Sequence, residues 1–324
     1  MRAVWLEGRE VEMIDQRLLP YRLEIVSIHT AEETAEAIRN MTVRGAPAIG
    51  ASAAYGMALA AMNGDDVKAA AAVLKAARPT AFDLFFAVDF MLDRIAAGED
   101  AAKAADRYAD NIVAKCRMIG ENGASLIRDG AKIMTHCNAG ALATVDCGTA
   151  LAPMRTAHRQ GKKIFVYVSE TRPRLQGMKL TAYELFNEDI PNAIIVDGAS
   201  GHFMRKGVDL IIVGADRIAL NGDFANKIGT FEKAVLAKEI GVPFYVAAPV
   251  STFDPKTETG EDIVIEDRGE EEVTDINGNR IAPAGCHAFN PSFDMTPHRY
   301  VTGFITEVGV LRPDEITRVL GARI

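Results

Sequence analysis

From residue 131 onward, short apolar-rich runs that read as buried strands alternate with polar loops and helical stretches. The runs are Lys132 to Cys137 (KIMTHC), Lys163 to Val168 (KIFVYV), Ala193 to Val196 (AIIV), Asp209 to Ala215 (DLIIVGA) and Pro243 to Ala248 (PFYVAA). A strand buried on both faces shows such continuity, and strands alternating with helices predict a parallel, doubly wound, Rossmann-like sheet. The first 129 residues read differently. Short apolar pieces around Glu7-Gly8-Arg9 and Leu19-Pro20 predict two or three small strands over 4–29, followed by helical periodicity over 30–41, 48–61, 65–77, 81–95 and 99–127. Thr30 is the expected N-cap of the first helix, and Pro47 suits the first turn of the second. The expected fold class is therefore α/β, with a small N-terminal strand-plus-helical domain (1–129) followed by the sheet domain (130–324), divided near Gly130. Toward the end of the chain, the acidic stretch Glu258 to Glu272 reads as a solvated hairpin or excursion, FNPSFDMTP (289–297) as a Pro-rich segment, and Ile316 to Leu320 as a short closing helix.

Composition narrows the function classes. With 324 residues, 48% apolar and 25% charged, the chain describes a soluble protein with ample core. A net charge of -8 with no basic cluster argues against nucleic acid as a partner, so any anion has to be held locally. The longest apolar stretch, Ala46 to Ala61, is broken by Gly and small residues and is too short for a membrane span. No charged n-region with an apolar h-region opens the sequence, so the expected location is the cytoplasm. Four cysteines without CxxC spacing are expected as free thiols, and scattered histidines give no metal-ligand spacing. No Gly-x-Gly-x-x-Gly or Walker sequence is present, so neither a metal nor a nucleotide cofactor is expected.

Strand ends and helix starts nominate the candidate chemistry. Asp216 falls just beyond the strand at Leu210 to Val213, where open parallel sheets bind ligands, although Gly-Ala-Asp is also ordinary turn sequence. Asn226, Lys227, Gly229 and Thr230 lead into a helical pattern, which suggests backbone N–H groups and an ammonium facing a phosphate. Arg44, Gly45 and Ala46 stand at another helix start, as an anion clamp or as a Gly turn with a surface arginine, and Arg78 occupies the turn before a further helix. Cys137 ends a strand, either as a thiolate stabilised by a helix field or as a buried structural cysteine. In the polar loop Ser169 to Gly177, Glu170 and Arg172 are expected to form a stiffening ion pair, whereas Gln176 can donate to and accept from sugar hydroxyls. Asn290, Asp294 and Thr296 either line the site or serve turns.

Four motifs in order, RGAPAIG (44–50), THCNAGALAT (135–144), ETRPRLQGMKLT (170–181) and Gly214 to Thr230, resemble those of the methylthioribose-1-phosphate isomerase family. That family belongs to a superfamily with ribose-1,5-bisphosphate isomerase and the alpha, beta and delta subunits of translation initiation factor 2B. The likeness runs from Trp5 and Asp15-Gln16-Arg17-Leu18-Leu19-Pro20 to Asn290 through Pro297. It implies Cys137 and Asp216 as a catalytic pair, and Arg44, Gly45, Ala46, Arg78, Gln176, Asn226 and Lys227 as contacts to a small sugar phosphate. A homodimer and an aldose-to-ketose isomerisation are implied as well. Phe82, Asp83 and Lys179 depart from the family's usual residues, and Asp83 adds negative charge near Arg78. Regulatory initiation-factor subunits generally lack the Cys-Asn-Ala-Gly segment, so Cys137 to Gly140 points to the methylthioribose branch. 5-Deoxyribose 1-phosphate, ribose 1,5-bisphosphate and a non-catalytic regulatory subunit are the alternatives. The expected mechanism has Asp216 as a general acid in an apolar pocket and Cys137 as base or charge stabiliser. Arg44, Arg78 and Lys227 would hold the phosphate, and a domain cleft would exclude water.

Overall fold

The computed structural model describes residues 1–78 and 82–317; Pro79 and Thr80 of the predicted turn and residues 318–320 of the closing helix lie outside them. Two compact units are present, one of Met1–Arg117 with Ala139–Leu151 and the other of Met118–Asn138 with Ala152–Ile324.

The first unit opens with an antiparallel meander of β1 (Val4–Glu7), β2 (Glu10–Ile14) and β3 (Ile25–Ile28). Helix α1 (Ala31–Arg39) starts where expected. Thr30 accepts the N–H of Glu33 at 3.1 Å while Glu33 accepts the N–H of His29 at 2.7 Å, so two otherwise orphaned donors are satisfied. Next comes α2 (Ala46–Asn63), which is buried continuously from Ala48 to Ala60 and forms the axis around which α1, α3 (Val67–Ala77) and α4 (Phe82–Ala96) pack. Its small residues permit that: a Cβ on Gly56 would lie 2.9 Å from Thr34 Cγ2. Helix α5 (Ala101–Ala124) gives its first part to this unit.

A seven-stranded sheet forms the second unit, confirming the α/β class. It contains β4 (Lys132–His136), β5 (Phe165–Ser169), β6 (Asn192–Ile195) and β7 (Leu210–Val213). The interleaved helices are α6 (Leu151–Arg159), α7 (Ala182–Asn187) and α8 (Ser200–Arg205). A hairpin of β8 (Arg217–Ile218) and β9 (Phe224–Lys227) precedes α9 (Thr230–Ile240) and β10 (Phe244–Ala247). Beyond these lie α10 (Glu271–Thr274), the ribbon β11 (Asp275–Ile276) and β12 (Asn279–Arg280), then β13 (Phe293–Thr296), β14 (Gly303–Thr306) and β15 (Gly309–Leu311). The sheet order is β15-β14-β10-β7-β4-β5-β6, parallel except for β15. Strands β14 and β15 extend it beyond the five predicted strands. Among the described residues, no helix is long and apolar enough to cross a membrane.

Two local expectations are corrected. Asn226 and Lys227 lie on β9 rather than at a helix start, because residues 217–227 fold into a hairpin and Gly229, with φ 94°, then caps α9. Among the described residues, Glu170 and Arg172 form no ion pair with each other. Instead, the Arg172 guanidinium donates to the carbonyls of Pro173 and Val273, both at 2.7 Å, and Glu170 accepts the N–H of Asp197 at 3.3 Å. The acidic stretch is largely solvated and is tied back near its end, where the Arg268 N–H donates to Asn290 O at 3.0 Å and Glu272 pairs with Arg174 at 2.8 Å.

Gly45, the N-cap of α2, has φ 99°, and a Cβ there would fall 2.4 Å from the carbonyl oxygen of Ala143. Gly45→Ala is therefore expected to lose about 2 kcal/mol or more of stability, read as a lower thermal melting temperature; an unchanged melt would contradict the close approach.

Candidate active site

The chain steps outward from β4 to β5 and β6 on one side, then returns to β7 on the other side of β4 and continues through β10 to β14. The crevice at the carboxyl ends of β4 and β7 is thus the topological switch point, where doubly wound sheets bind ligands. Cys137 follows β4 directly, and Asp216 follows β7 after Gly214 and Ala215. Both are half-buried. The backbone N–H of Asp216 donates to Ala225 O at 2.9 Å, which closes the β8–β9 hairpin and turns it back toward the sheet. Strand β13 pairs with β9 in a register that sets Phe293 opposite Lys227 and Asp294 opposite Asn226.

Lys227 is 5% exposed. Its ammonium donates to Ser292 O and lies 4.4 Å from the centroid of the Phe293 ring. Burial pushes its pKa down to about 8; negative charge on Cys137 opposes this, Arg268 adds to it, and Asp216 and Glu272 oppose it. Cys137, Asp216 and Lys227 are therefore brought into one electrostatic neighbourhood. No helix starts directly after Cys137: the chain makes a short 3-10 turn at Ala141–Ala143, and α6 begins only at Leu151. Lys227 is a cation available to a Cys137 thiolate.

Two further nominated residues are buried in the same unit. Asn226 donates to Thr230 Oγ1 at 2.9 Å, and that hydroxyl donates to Lys227 O at 2.6 Å, which fixes the end of β9. Gln176, 7% exposed, has its Oε1 without a hydrogen-bond partner and so open to a hydroxyl donor. Arg44, Gly45 and Ala46 lie in the first unit at the start of α2, and Arg78 follows α3 there. Asn290 serves a turn, donating to Gly269 O and to Glu272 Oε2 at 3.0 and 3.1 Å. Asp294 accepts the N–H groups of Gly229 and Phe231 at 2.7 and 3.1 Å, capping α9, and burial pushes its carboxyl up to about 6.

Behind the switch point lies a set of polar groups that sequence reasoning passed over. His136 is fully buried, and burial foremost, with Lys233 adding, pushes its pKa down to about 3, so the ring is neutral. Its Nε2 faces Ile228 O at 2.8 Å, and a carbonyl only accepts, so Nε2 carries the proton and Nδ1 is an acceptor beside Thr171 Oγ1 at 3.4 Å. Asp197 accepts from Ser169 Oγ and from the backbone N–H groups of Thr171 and Arg172 at 3.0 and 2.7 Å. Burial raises its pKa, but the Ser169 and Arg172 bonds, with Lys233, outweigh this and hold its carboxyl below the usual range. Asp197 lies just past β6, at the same carboxyl edge as Cys137 and Asp216, so the strand-end rule that nominated those two would have found it. A cavity of about 490 Å³ opens on this side, with Asp197, Gly229, Glu232 and Asp294 in its wall.

The model of the Initiation factor 2 subunit family matches residues 42–313. A protein of Roseiflexus castenholzii named methylthioribose-1-phosphate isomerase is 50% identical over 335 residues, spanning 96% of this chain and 95% of its own. Among solved structures, 5-methylthioribose 1-phosphate isomerase from Pyrococcus horikoshii OT3 has a TM-score of 0.91 at 43% identity, over 99% of this chain and 95% of that one. The translation initiation factor eIF-2B, subunit delta, from A. fulgidus has a TM-score of 0.87 at 43% identity, over 97% of each chain. With a family match that covers most of its length and relatives this similar from end to end, the chain belongs to the Initiation factor 2 subunit family.

Proposed function

We propose that this protein isomerises 5-methylthioribose 1-phosphate to 5-methylthioribulose 1-phosphate, an aldose-to-ketose conversion of methionine salvage. The observation that carries the reading is the convergence of Cys137, Asp216 and the buried Lys227 at the switch point. The relatives' names supply the substrate.

A phosphate on the anomeric oxygen blocks simple opening of the sugar ring to a free aldehyde. Asp216 gives a proton to the ring oxygen as its bond to C1 breaks. Hydrogen then moves from C2 to C1, the C2 hydroxyl becomes a carbonyl, and the hydroxyl proton it releases restores Asp216. On an enolate path the Cys137 thiolate removes the C2 proton and returns it at C1; on a hydride path it stabilises developing positive charge. Lys227 serves twice in this reading, as a contact to the anionic phosphate and as the charge that favours the thiolate. Gln176 and Asn226 are assigned to sugar hydroxyls, and Arg44, Gly45, Ala46 and Arg78 to the phosphate; the first-unit residues rest on the family resemblance. The same reading places the protein in the cytoplasm as a homodimer. Phe186, Ile194 and Val196, exposed on α7 and along β6 at the sheet's edge, support a partner surface. Light scattering should give twice the chain mass, and a monomer would remove that part of the reading.

Purified protein assayed in parallel with methylthioribose 1-phosphate, 5-deoxyribose 1-phosphate and ribose 1,5-bisphosphate tests the whole. Ketose from the first is expected. Turnover of the bisphosphate alone would move the protein to the neighbouring activity, and no turnover of any would favour a regulatory subunit. Cys137→Ser and Asp216→Asn should each lose most of kcat while substrate binding persists, and near-normal turnover in either would remove its role. Lys227 is charged below about 8 and neutral above it. Because the charged form binds the phosphate, kcat/KM, which reports the free enzyme, should fall as pH rises through that value. Lys227→Ala should raise KM about tenfold or more at neutral pH and abolish this alkaline limb; an unchanged KM would exclude the contact.

A further inference from the structure

Cys137 has φ 63°, in the left-handed region where an L side chain crowds its own backbone. Both of its backbone polar groups are held by threonine hydroxyls. Its N–H donates to Thr171 Oγ1 at 2.8 Å, and its carbonyl accepts from Thr181 Oγ1 at 2.6 Å. Thr171 and Thr181 are 0% exposed and stand near the two ends of the Glu170 to Thr181 motif, so one segment grips the cysteine from both sides.

The grip has a rigid backing. A hydroxyl has one proton, so Thr181, which donates to Cys137, accepts from Asn138 Nδ2 at 3.2 Å. The same Nδ2 donates to Glu184 Oε1 at 2.8 Å, and the other oxygen of Glu184 accepts from Arg155 Nη2 at 2.6 Å. Glu184 is 1% and Arg155 3% exposed, so the anchor is a charge pair shielded from water. On the other side, Thr171 donates to Ser169 O at 2.9 Å at the end of β5. Gly177 presses against the same carbonyl so closely that a Cβ would lie 1.8 Å from it.

Thr171 itself has φ 69°. A β-branched residue is a poor choice for that backbone, which glycine or asparagine adopts more readily, so the hydroxyl has to offset the strain. Strain of this kind gathers where a site over-determines its geometry. We propose that Thr171 and Thr181 are positioning residues for Cys137: their hydroxyls fix its backbone so that Sγ is held beside Lys227, with Asn138, Glu184 and Arg155 as the anchor. The inference rests on Cys137 being the reacting thiol, and its test includes a readout that needs no substrate.

Thr171→Val and Thr181→Val keep the shape and remove the hydroxyl, whereas Thr171→Ser and Thr181→Ser keep the hydroxyl. The first readout is the rate of Cys137 alkylation by iodoacetamide against pH, with the modified peptide identified by mass spectrometry. A thiolate loosened from Lys227 ionises at higher pH, so each valine variant should shift the midpoint upward by about one unit. Asp216, Arg268 and Glu272, the other charges around Lys227, are untouched by these substitutions. The second readout is turnover, where kcat should fall by roughly 10- to 100-fold with KM nearly unchanged. Both serine variants should match the unsubstituted protein in both readouts. Valine variants with unaltered alkylation profiles, or folded serine variants that lose turnover or shift the midpoint, would overturn the proposal, and the serine arm stands even where a valine variant fails to fold. Should the protein turn over none of the sugar phosphates, the alkylation profiles still decide the clamp separately from the function.

Discussion

An ammonium removed from water has to find compensating charge and hydrogen bonds, and the site is built around how Lys227 finds them. The carbonyl of Ser292 and the face of Phe293 take up part of its field, and Asp216, Glu272 and a Cys137 thiolate supply the opposing charge. Burial, with Arg268 adding to it, outweighs them, so the lysine stays easier to deprotonate than an exposed one. Each compensating group comes from a different part of the chain: the ends of β4 and β7, the start of α10 and the strand β13. The sheet's reversal of direction between β4 and β7 brings the first two together, and the pairing of β9 with β13 brings the rest. The topology is what makes the electrostatics possible.

Much of this was legible along the chain, and the misses have physical reasons. Cys137 and Asp216 were visible because each follows a segment that reads as a buried strand, and the end of a buried parallel strand is where polar residues first become useful. Asp197 satisfies the same rule, but it ends the short run at Ala193 to Val196 and lies in an unremarkable turn, so composition alone gave it no weight. Strands β14 and β15 escaped because Thr306, Glu307 and Gly309 interrupt the apolar pattern around them. Asn226 and Lys227 were placed at a helix start because the helix signal of α9 is strong. What puts them on a strand is pairing with residues 293–296, a long-range contact with no local signature. The helix start weighed for the stretch after Cys137 missed for the opposite reason: a small-residue stretch resembles a helix in composition, yet Ala141 to Ala150 makes only one 3-10 turn. The two threonines around Cys137 belonged to a motif already singled out, but it takes the folded chain to bring their hydroxyls against its backbone.

Sequence identity does not choose between the names carried by the relatives, since an isomerase and a translation-factor subunit share 43% identity with this chain and superpose over nearly all of it. What the fold tolerates at the switch point favours chemistry. A cysteine and a threonine in left-handed backbone and a lysine held near pKa 8 are each less stable than a bland replacement would be. A glycine at either strained position and an apolar side chain in place of Lys227 would relieve strain and desolvation together. A surface that only has to dock against another protein gains nothing from keeping these groups buried at the carboxyl ends of the strands. An isomerase does, because a preformed thiolate, a proton donor and a fixed cation are worth most where water is excluded and their geometry is already set. The concentration of destabilising choices in one place is therefore the feature that ties this chain to catalysis more closely than its overall shape does.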